Sequence, residues 1–326
     1  MNHATAPRHP SGIGLRSWGR TDTGGDSLTL DHWPAPPALA PYIGSFFQIC
    51  GADPLQEDLL PAGPAMLAIF LRGEGLLRLP GGLADASAPA SVITPLRAAA
   101  RIEIAGPWHV FGALLSPLGW AALTGGLSAS EHGNRLRDAG ELLGGGVRRL
   151  AADLSQGHGV RPFTLAELVA RSVPVLQARL HALSDAHVRL VDEVQAWLAR
   201  AMSPVVDDLY RDACYSPRQL QRLVDRYFGL PPKQLARQHR ALRAAALLAD
   251  PATTPQQAAS VADHFYDQSH LIREVRLVTG RTPARLIEQR LPLLDAMLGL
   301  HAPAVRRIGA LAGAAQPTTP PPATPA

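Results

Sequence analysis

The feature that most constrains this chain is a helical unit that occurs twice near its C-terminal end. In the first copy a short helical segment is followed by Ser216-Pro217, which begins a second helix because Ser caps helices and Pro fits their first turn. In the second copy Asp267 takes the capping position after a turn. Each copy closes with Gly and then Pro, at Gly229 and Gly280, and this order ends a helix. A unit that repeats is more specific than a single one, so the sequence predicts two helix-turn-helix units.

The helix that follows Ser216 has two different faces. Its apolar residues recur at helical spacing and predict a buried face: Leu220, Leu223, Val224 and Tyr227. The residues that point away from that face are Arg218, Gln219, Gln221 and Arg222. Arginine pairs with guanine, glutamine pairs with adenine, and both hold phosphates, so this face suits DNA. A single helix of this kind is more often an ordinary surface helix, and an intradomain salt bridge is the alternative for Arg222 and Arg273.

The segment between the two copies, residues 233–248, has one apolar helical face. A helix of about 16–20 residues spans roughly 24–30 Å, and successive major grooves on one face of DNA repeat at about 34 Å. The connector is therefore suited to placing two helices in neighbouring grooves. Residues 205–290 also hold 13 Lys and Arg against 9 Asp and Glu, which is the whole net charge of +4. Such a balance is typical of a surface that meets phosphates, although an ordinary solvated surface has it too.

The N-terminal half has a different pattern of apolar residues. Short apolar runs broken by Gly and Pro predict the strands of a small β-sandwich or barrel, at residues 42–50, 66–72, 76–79, 91–94, 101–104 and 109–115. Helical periods follow after Gly119, and we expect the apolar faces of the helices between Thr164 and Met202 to pair between chains. The expected domain boundary is Ser203-Pro204, since a helix ends before Pro.

Two segments of the repeated unit point to a known family. Residues 216–223 read SPRQLQRL, and residues 265–274 read FYDQSHLIRE, followed by Gly280 and Pro283. These segments resemble the two recognition helices and the closing motif of the AraC/XylS transcription regulators. The resemblance implies an α+β protein with an N-terminal cupin-like β-domain and its helical extension. The C-terminal domain is then all-α, with two helix-turn-helix units joined by a linker helix.

The same resemblance implies the function and its residues. The chain would be a sequence-specific transcription regulator and not an enzyme, with two recognition helices in successive major grooves of double-stranded DNA. RNA polymerase would be a further partner if the protein is an activator. Contacts with bases and phosphates would fall on Arg218, Gln221, Arg222, Gln268, Ser269, His270 and Arg273.

The chain departs from the family pattern in the turns and in the second unit. Members usually carry Gly in each turn, where this chain has Cys214 and His264. A left-handed turn costs a residue with a Cβ about 1–2 kcal/mol compared with Gly. An Ile-Ala pair of the second unit is Ala259-Ser260 here, which predicts a thinner core and a looser reading of DNA by that unit. A redox switch is an alternative role for Cys214.

The N-terminal half is loosely similar to the N-terminal domains of some members through residues 58–63 and 111–117. Those domains often sense a small molecule, which implies control by an effector or by self-association as a homodimer. Candidate ligand-binding residues are Trp108, His109 and Trp120, with core packing as the alternative. A catalytic cupin needs closely spaced His residues and a Glu around a metal ion, and this half offers only His109 near Glu103. We therefore predict no metal, no cofactor and no catalytic residue.

The composition of the chain predicts where it is disordered and in which compartment it lies. Residues 1–31 mix Gly, Pro, Ser and Thr without an apolar run, which predicts disorder and no secretory signal. No apolar stretch is long enough to span a membrane, and two distant cysteines fit a reducing compartment, so we expect a cytoplasmic protein. The expected domains are a sensor and dimerisation domain at 32–203, a DNA-binding domain at 204–292, and an extension at 293–326 that is disordered from about 316.

Overall fold

The N-terminal half is built on one antiparallel sheet. The structure is a computed structural model that describes residues 28–288 and 291–300. The strands are β1 (Thr29–Pro34), β2 (Ile43–Gly51), β3 (Leu55–Leu60), β4 (Met66–Arg78), β5 (Ala84–Ala86), β6 (Ala90–Ile93), β7 (Ala100–Leu115) and β8 (Leu136–Asp138). They lie in the order β1-β2-β7-β4-β6-β8, with β3 paired to β7 and β5 paired to β4.

Two long strands, β4 and β7, lie at the centre of this sheet. Each of them covers two segments that the sequence predicted as separate strands. The first half of β7 pairs with β3 and its second half pairs with β2, while β4 follows β7 along its other edge. The register of β4 against β7 shifts between Phe70 and Glu74. Gly73 lies within this shift with φ +82°, and a Cβ there would be 2.5 Å from the Ala105 carbonyl oxygen, so only Gly fits this bend.

The bend lets the two halves of the sheet face each other over an apolar interior. Phe47, Val110 and Leu114 enter this interior from one half, and Leu77, Ile102 and Ile104 enter it from the other. The opposite face of the sheet carries Phe46, Ile69 and Phe111, which pack with helical residues in a separate core. The β-domain predicted for the N-terminal half is therefore confirmed as an antiparallel sheet, although β1, β3, β5 and β8 were not predicted.

Six helices follow or interrupt the sheet and form the helical extension: α1 (Pro117–Thr124), α2 (Ala129–His132), α3 (Ala139–Leu142), α4 (Gly145–Val160), α5 (Leu165–Arg179) and α6 (Asp185–Arg200). The apolar face of α5, with Leu168 and Leu176, packs on the outer face of the sheet. The apolar face of α6, with Val191 and Val194, packs against the first helix-turn-helix unit. The expectation that these faces pair between chains is therefore wrong, because each already has a partner inside the chain.

The C-terminal region is helical: α7 (Val206–Asp212), α8 (Pro217–Phe228), α9 (Pro232–Ala249), α10 (Pro255–Ser260), a 3-10 turn (Val261–His264), α11 (Gln268–Thr279) and α12 (Pro283–Glu288). Residues 292–300 form a further helix, α13. The disorder predicted for the start of the chain falls mostly outside the described residues, but β1 begins at Thr29, before the expected limit at Asp31. The disorder predicted from about residue 316 lies wholly outside them.

The loop between β6 and β7 contacts three helices of the C-terminal region, α8, α9 and α11. Arg97 donates from Nε to the Gly229 carbonyl oxygen at the end of α8 (3.0 Å), and Ala99 donates its backbone N–H to the Leu277 carbonyl oxygen in α11 (2.9 Å). Gln238 of α9 donates to the Leu96 carbonyl oxygen (3.0 Å). This loop therefore ties the sheet to both units and to the helix between them.

Candidate nucleic-acid interface

The first unit consists of α7, a turn and α8. Ser216 caps α8, since its Oγ accepts from the backbone N–H of Gln219 while Oε1 of Gln219 accepts from Ser216. This reciprocal pair satisfies two backbone or hydroxyl donors at the helix start. Gly229 closes the helix in the left-handed region, at φ +80°. The sequence signals at both ends of α8 are therefore confirmed.

The predicted contact residues of the first unit lie on the open side of α8. Arg218, Gln221 and Arg222 are exposed, whereas the predicted apolar residues of the helix are buried. Within the described part of the chain, neither Arg218 nor Arg222 forms an ion pair with an acidic side chain. The salt-bridge alternative for Arg222 has no support there, and its guanidinium remains accessible.

Helices outside the unit hold α8 from behind. The Tyr227 hydroxyl lies 2.9 Å from Nδ1 of His187, in the first turn of α6. Trp197 of α6 donates from Nε1 to the Val205 carbonyl oxygen (2.8 Å), where α7 begins. Arg226 donates from Nη2 to the Gly126 carbonyl oxygen after α1 (2.9 Å). Contacts with α6 and with the residues after α1 therefore hold α8, and its polar face remains exposed.

The second unit consists of α10, the 3-10 turn and α11. Asp267 caps α11, and its Oδ1 accepts from the backbone N–H of His270 at 2.8 Å. Gly280 closes the helix at φ +74°. No residue of α10 is buried, and Val261 in the 3-10 turn supplies the buried side chain instead. The tighter turn brings Val261 into the core, which compensates in part for Ala259-Ser260 being exposed.

The expected left-handed turns at Cys214 and His264 are not formed. Asn134 is the only residue other than Gly with a positive φ in the part of the chain that the structure describes. His264 ends the 3-10 turn, and the chain leaves it through an extended Phe265. The predicted cost of a Cβ at these two positions therefore does not arise, because the turns use other backbone conformations.

The predicted contact residues of the second unit differ in accessibility. Gln268, Ser269 and Arg273 are exposed on α11, and the described residues give Arg273 no acidic partner. His270 is half-buried, with Nδ1 3.0 Å from Oδ1 of Asp267 and its ring against Tyr266. The backbone N–H and the ring of His270 hold the pKa of Asp267 below its usual value.

Tyr266 is an interface candidate that the sequence reasoning missed. Its side chain is 91% exposed beside the start of α11. The sequence signal for Tyr266 was its position directly before Asp267, which caps α11. A turn does not require an aromatic side chain at that position. An exposed tyrosine there can contact a sugar or phosphate with its hydroxyl.

The connector α9 is fixed to its neighbours by buried charges. Glu274 of α11 is 5% exposed and accepts from Nε of Arg237 (3.0 Å) and from Nη2 of Arg240 (2.7 Å). Arg243 is 3% exposed and donates to the carbonyl oxygens of Ala199 and Ala201 where α6 ends. One side of α9 therefore holds α11, and another holds the end of α6. No pattern in the sequence indicated these positioning residues.

Sequence comparison agrees with this geometry. A family described as a helix-turn-helix domain matches residues 209–289, which covers both units and the connector. This segment is a helix-turn-helix domain of the AraC type. A chain with such a domain is a DNA-binding transcription regulator. No curated protein sequence matches this chain.

Several solved structures have a related outline. ToxT from Vibrio cholerae is 9% identical with a TM-score of 0.44, and the match covers 81% of this chain and 98% of that chain. ToxT bound to (E)-4-(8-methylnaphthalen-1-yl)but-3-enoic acid is 8% identical with a TM-score of 0.43, covering 81% and 98%. The AraC-like transcriptional activator CuxR is 13% identical with a TM-score of 0.32, covering 66% and 75%.

The three candidate ligand-binding residues of the N-terminal half do not lie together. Trp108 is buried in the interior of the sheet. His109 points to the other side of β7, with Nδ1 3.0 Å from Nε2 of His158, and burial lowers its pKa to about 4. Trp120 packs in the outer core and donates to the Leu127 carbonyl oxygen. The expectation of one pocket lined by all three is wrong, because strand alternation and a separate helix place them apart.

The residues that the structure describes contain no group of three or more His, Cys, Asp or Glu side chains that could hold a metal ion. None of their helices is both long enough and apolar enough to cross a membrane.

Proposed function

We propose that this regulator binds specific DNA sequences with α8 and α11 in successive major grooves. The observation that carries the proposal is the pair of exposed polar faces on α8 and α11, joined by α9. At 18 residues, α9 spans about 27 Å at a rise of about 1.5 Å per residue. The Arg240 guanidinium also lies 4.7 Å from the Phe265 ring, directly before α11. A connector of this length and fixation favours a constant separation of the two faces.

The proposed contacts divide between the two helices. Arg218, Gln221 and Arg222 serve the groove that α8 occupies. Gln268, Ser269, His270 and Arg273 serve the groove that α11 occupies. Because the ring of His270 lies against Asp267 and Tyr266, its role is the more indirect one, and Gln268 is the stronger candidate for reading a base.

The N-terminal domain is proposed to control this interface through a small-molecule effector or through self-association. The loop between β6 and β7 supports control, since its hydrogen bonds reach α8, α9 and α11 together. Any shift of that loop changes the position of both helices. RNA polymerase, as the partner of an activator, and a second copy of the chain are carried over from the family resemblance as proposals.

A binding-site selection tests the two-groove arrangement. Wild type, Arg218→Ala, Gln221→Ala, Gln268→Ala and His270→Ala would be compared, with Arg189→Ala as a control that removes an exposed arginine from α6. A lost base contact should cost about 1–3 kcal/mol at its own base pair. The α8 variants and the α11 variants should affect positions about 10–10.5 base pairs apart.

A variant that loses only a phosphate contact should weaken binding to all sequences and reduce the salt dependence. Arg189→Ala should leave the selected sequence unchanged. If Gln268→Ala alters the preference at the same base pairs as Arg218→Ala or Gln221→Ala, the two-groove arrangement is wrong.

A further inference from the structure

The interior of the N-terminal sheet is almost full. It is lined by apolar side chains from both halves of the sheet, Phe47, Ile102 and Trp108 among them, and it leaves a free volume of about 40 Å³. Sites for small molecules usually offer about 300–1,000 Å³. Two lining residues, Leu293 and Met297, come from α13 and not from the sheet. The C-terminal helix therefore occupies the space that a ligand of the sheet would need.

A buried carboxylate holds the start of α13 in this position. Asp58 of β3 is 4% exposed, and its Oδ2 accepts from the backbone N–H of Leu293 (2.8 Å) while Oδ1 accepts from that of Leu294 (3.3 Å). These N–H groups have no partner within the helix, and the helix dipole favours a negative charge beside them. Burial raises the pKa of Asp58, against the effect of these N–H groups and of Arg281. Asp58 itself does not line the interior space.

The other face of α13 belongs to the second helix-turn-helix unit. Leu294 and Leu298 pack with Leu271 and Val275 of α11 in one core. The core of the first unit takes none of its described residues from α13. A displacement of α13 therefore changes the support of α11 and leaves that of α8 intact.

We infer that the interior of the sheet is a binding site for an uncharged, apolar molecule, and that α13 competes with this ligand for the space. The ligand class follows from the lining, which is apolar throughout and offers no charged side chain to compensate a buried charge. Entry of the ligand displaces Leu293 and Met297, separates α13 from Asp58 and loosens α11. The consequence for DNA rests on the proposed function, whereas the competition inside the sheet does not.

A neutral apolar fluorophore, N-phenyl-1-naphthylamine, tests the competition in the full chain by fluorescence titration without DNA. Asp58→Ala should bind this probe about tenfold more tightly than wild type, because two hydrogen bonds to a charged group no longer hold the helix. Since Asp58 does not line the space, a gain in affinity reports release of α13 and not a larger cavity. Asp58→Asn keeps an acceptor oxygen, so it should show a smaller gain and gives a second variant that preserves the fold.

Asp138→Ala is the matched control, because Asp138 also caps a helix, α3, with its carboxylate. It should bind the probe as wild type does. Equal affinity of wild type, Asp58→Asn and Asp58→Ala, or no binding by any of them, would overturn the inference. Because no DNA is present, that failure is distinct from a failure of the two-groove arrangement.

Hydrogen exchange in the same samples reports where the probe acts. Saturating probe should increase exchange in residues 292–300 and then in α11, with α8 unchanged as the internal control. Probe binding that leaves the exchange of residues 292–300 unchanged would show that the ligand and α13 do not compete.

Discussion

The two helix-turn-helix units have the same order of elements, but different parts of the chain pack against them. In the first unit α8 buries four side chains in a core that also receives α6 and α1. In the second unit α10 buries none, and the core depends on the 3-10 turn, α11, α12 and α13. The repeated sequence pattern thus determines the local shape of each unit, while its surroundings determine how firmly that shape is held.

The two units also differ in how they are attached to the N-terminal domain. The end of α8 is held by side chains, with Arg97 donating to the Gly229 carbonyl oxygen. The end of α11 is held by backbone hydrogen bonds, since Ala62 and Ala99 donate to the carbonyl oxygens of Val278 and Leu277 at 2.8 and 2.9 Å. The second unit is therefore the one with less core of its own and the more direct attachment to the sheet.

The largest effect should come from cutting each unit away from its support. We propose that the DNA-binding part extends from residue 184 to 300, beyond the boundary predicted at Ser203-Pro204. A fragment of residues 201–289 loses α6, which buries five large apolar side chains, and α13, which places two in the core of the second unit. At about 1.5–3 kcal/mol for each side chain, the first loss is about 8–15 kcal/mol and the second about 3–6 kcal/mol. The first loss equals the whole stability of a typical domain.

Circular dichroism and hydrogen exchange on fragments 184–300, 184–289, 201–300 and 201–289 separate these losses. Fragment 184–289 should keep α8 protected and lose protection in α11, and fragment 201–300 should lose the protection of α8. If fragment 201–289 melts at the same temperature as fragment 184–300, α6 and α13 are not part of the units.

The sequence predicted most of what is local in this interface. Ser216, Asp267, Gly229 and Gly280 predicted the ends of both recognition helices correctly, since caps act within a few residues. The connector was predicted at 233–248 and is observed as Pro232–Ala249. These features need no information about distant parts of the chain.

Most of the missed features depend on distant residues. Asp58 meets Leu293 across more than 230 positions of the chain, and no periodicity records such a contact. His109 and Trp120 were predicted to bind a ligand together with Trp108, but alternation along β7 and a separate helix place them elsewhere. The turns at Cys214 and His264 were misjudged because a family pattern with Gly was taken to require a left-handed residue, whereas a 3-10 turn serves the second unit.

A smaller effect should come from the charges that fix α11 to α9. Glu274→Ala leaves Arg237 and Arg240 without their shared carboxylate. Removing one partner of a buried ion pair costs about 3–5 kcal/mol, and the 48% exposure of the Arg237 side chain reduces this to about 2–3 kcal/mol. Urea unfolding should show this loss. Site selection should show a weaker preference in the half of the site that α11 reads.

Glu288→Ala is the control, because Glu288 is an exposed carboxylate on α12. Glu274→Gln should lie between the two, since its amide oxygen still accepts a hydrogen bond. An equal loss of preference in both halves of the site would mean that Glu274 supports the whole domain and not the second unit.

The smallest effect is expected from acid, through a histidine on the connector itself. Burial, with the positive charge of Arg243, lowers the pKa of His239 on α9 from its usual 6.5 to about 3. Between these values the unfolded chain binds a proton that the folded chain does not, so stability falls as the pH falls through this range and is unaffected above about 6.5. One proton corresponds to at most about 1.4 kcal/mol per pH unit, and we expect about 1 kcal/mol per unit.

His239→Gln should remove this contribution. Urea unfolding at pH 7, 6 and 5 measures it as a difference in stability between the variant and wild type that moves in favour of the variant as the pH falls.

His109 provides the comparison, since burial lowers its pKa to about 4 inside the other half of the molecule. His109→Gln should therefore also flatten the curve of stability against pH. The two variants should differ in where acid acts: hydrogen exchange at pH 5 should fall around α9 and α11 in His239→Gln and around β7 in His109→Gln. An unchanged pH slope in His239→Gln would mean that its ring is hydrated or protonated in the folded protein, and the connector would then offer acid no means of loosening the two units.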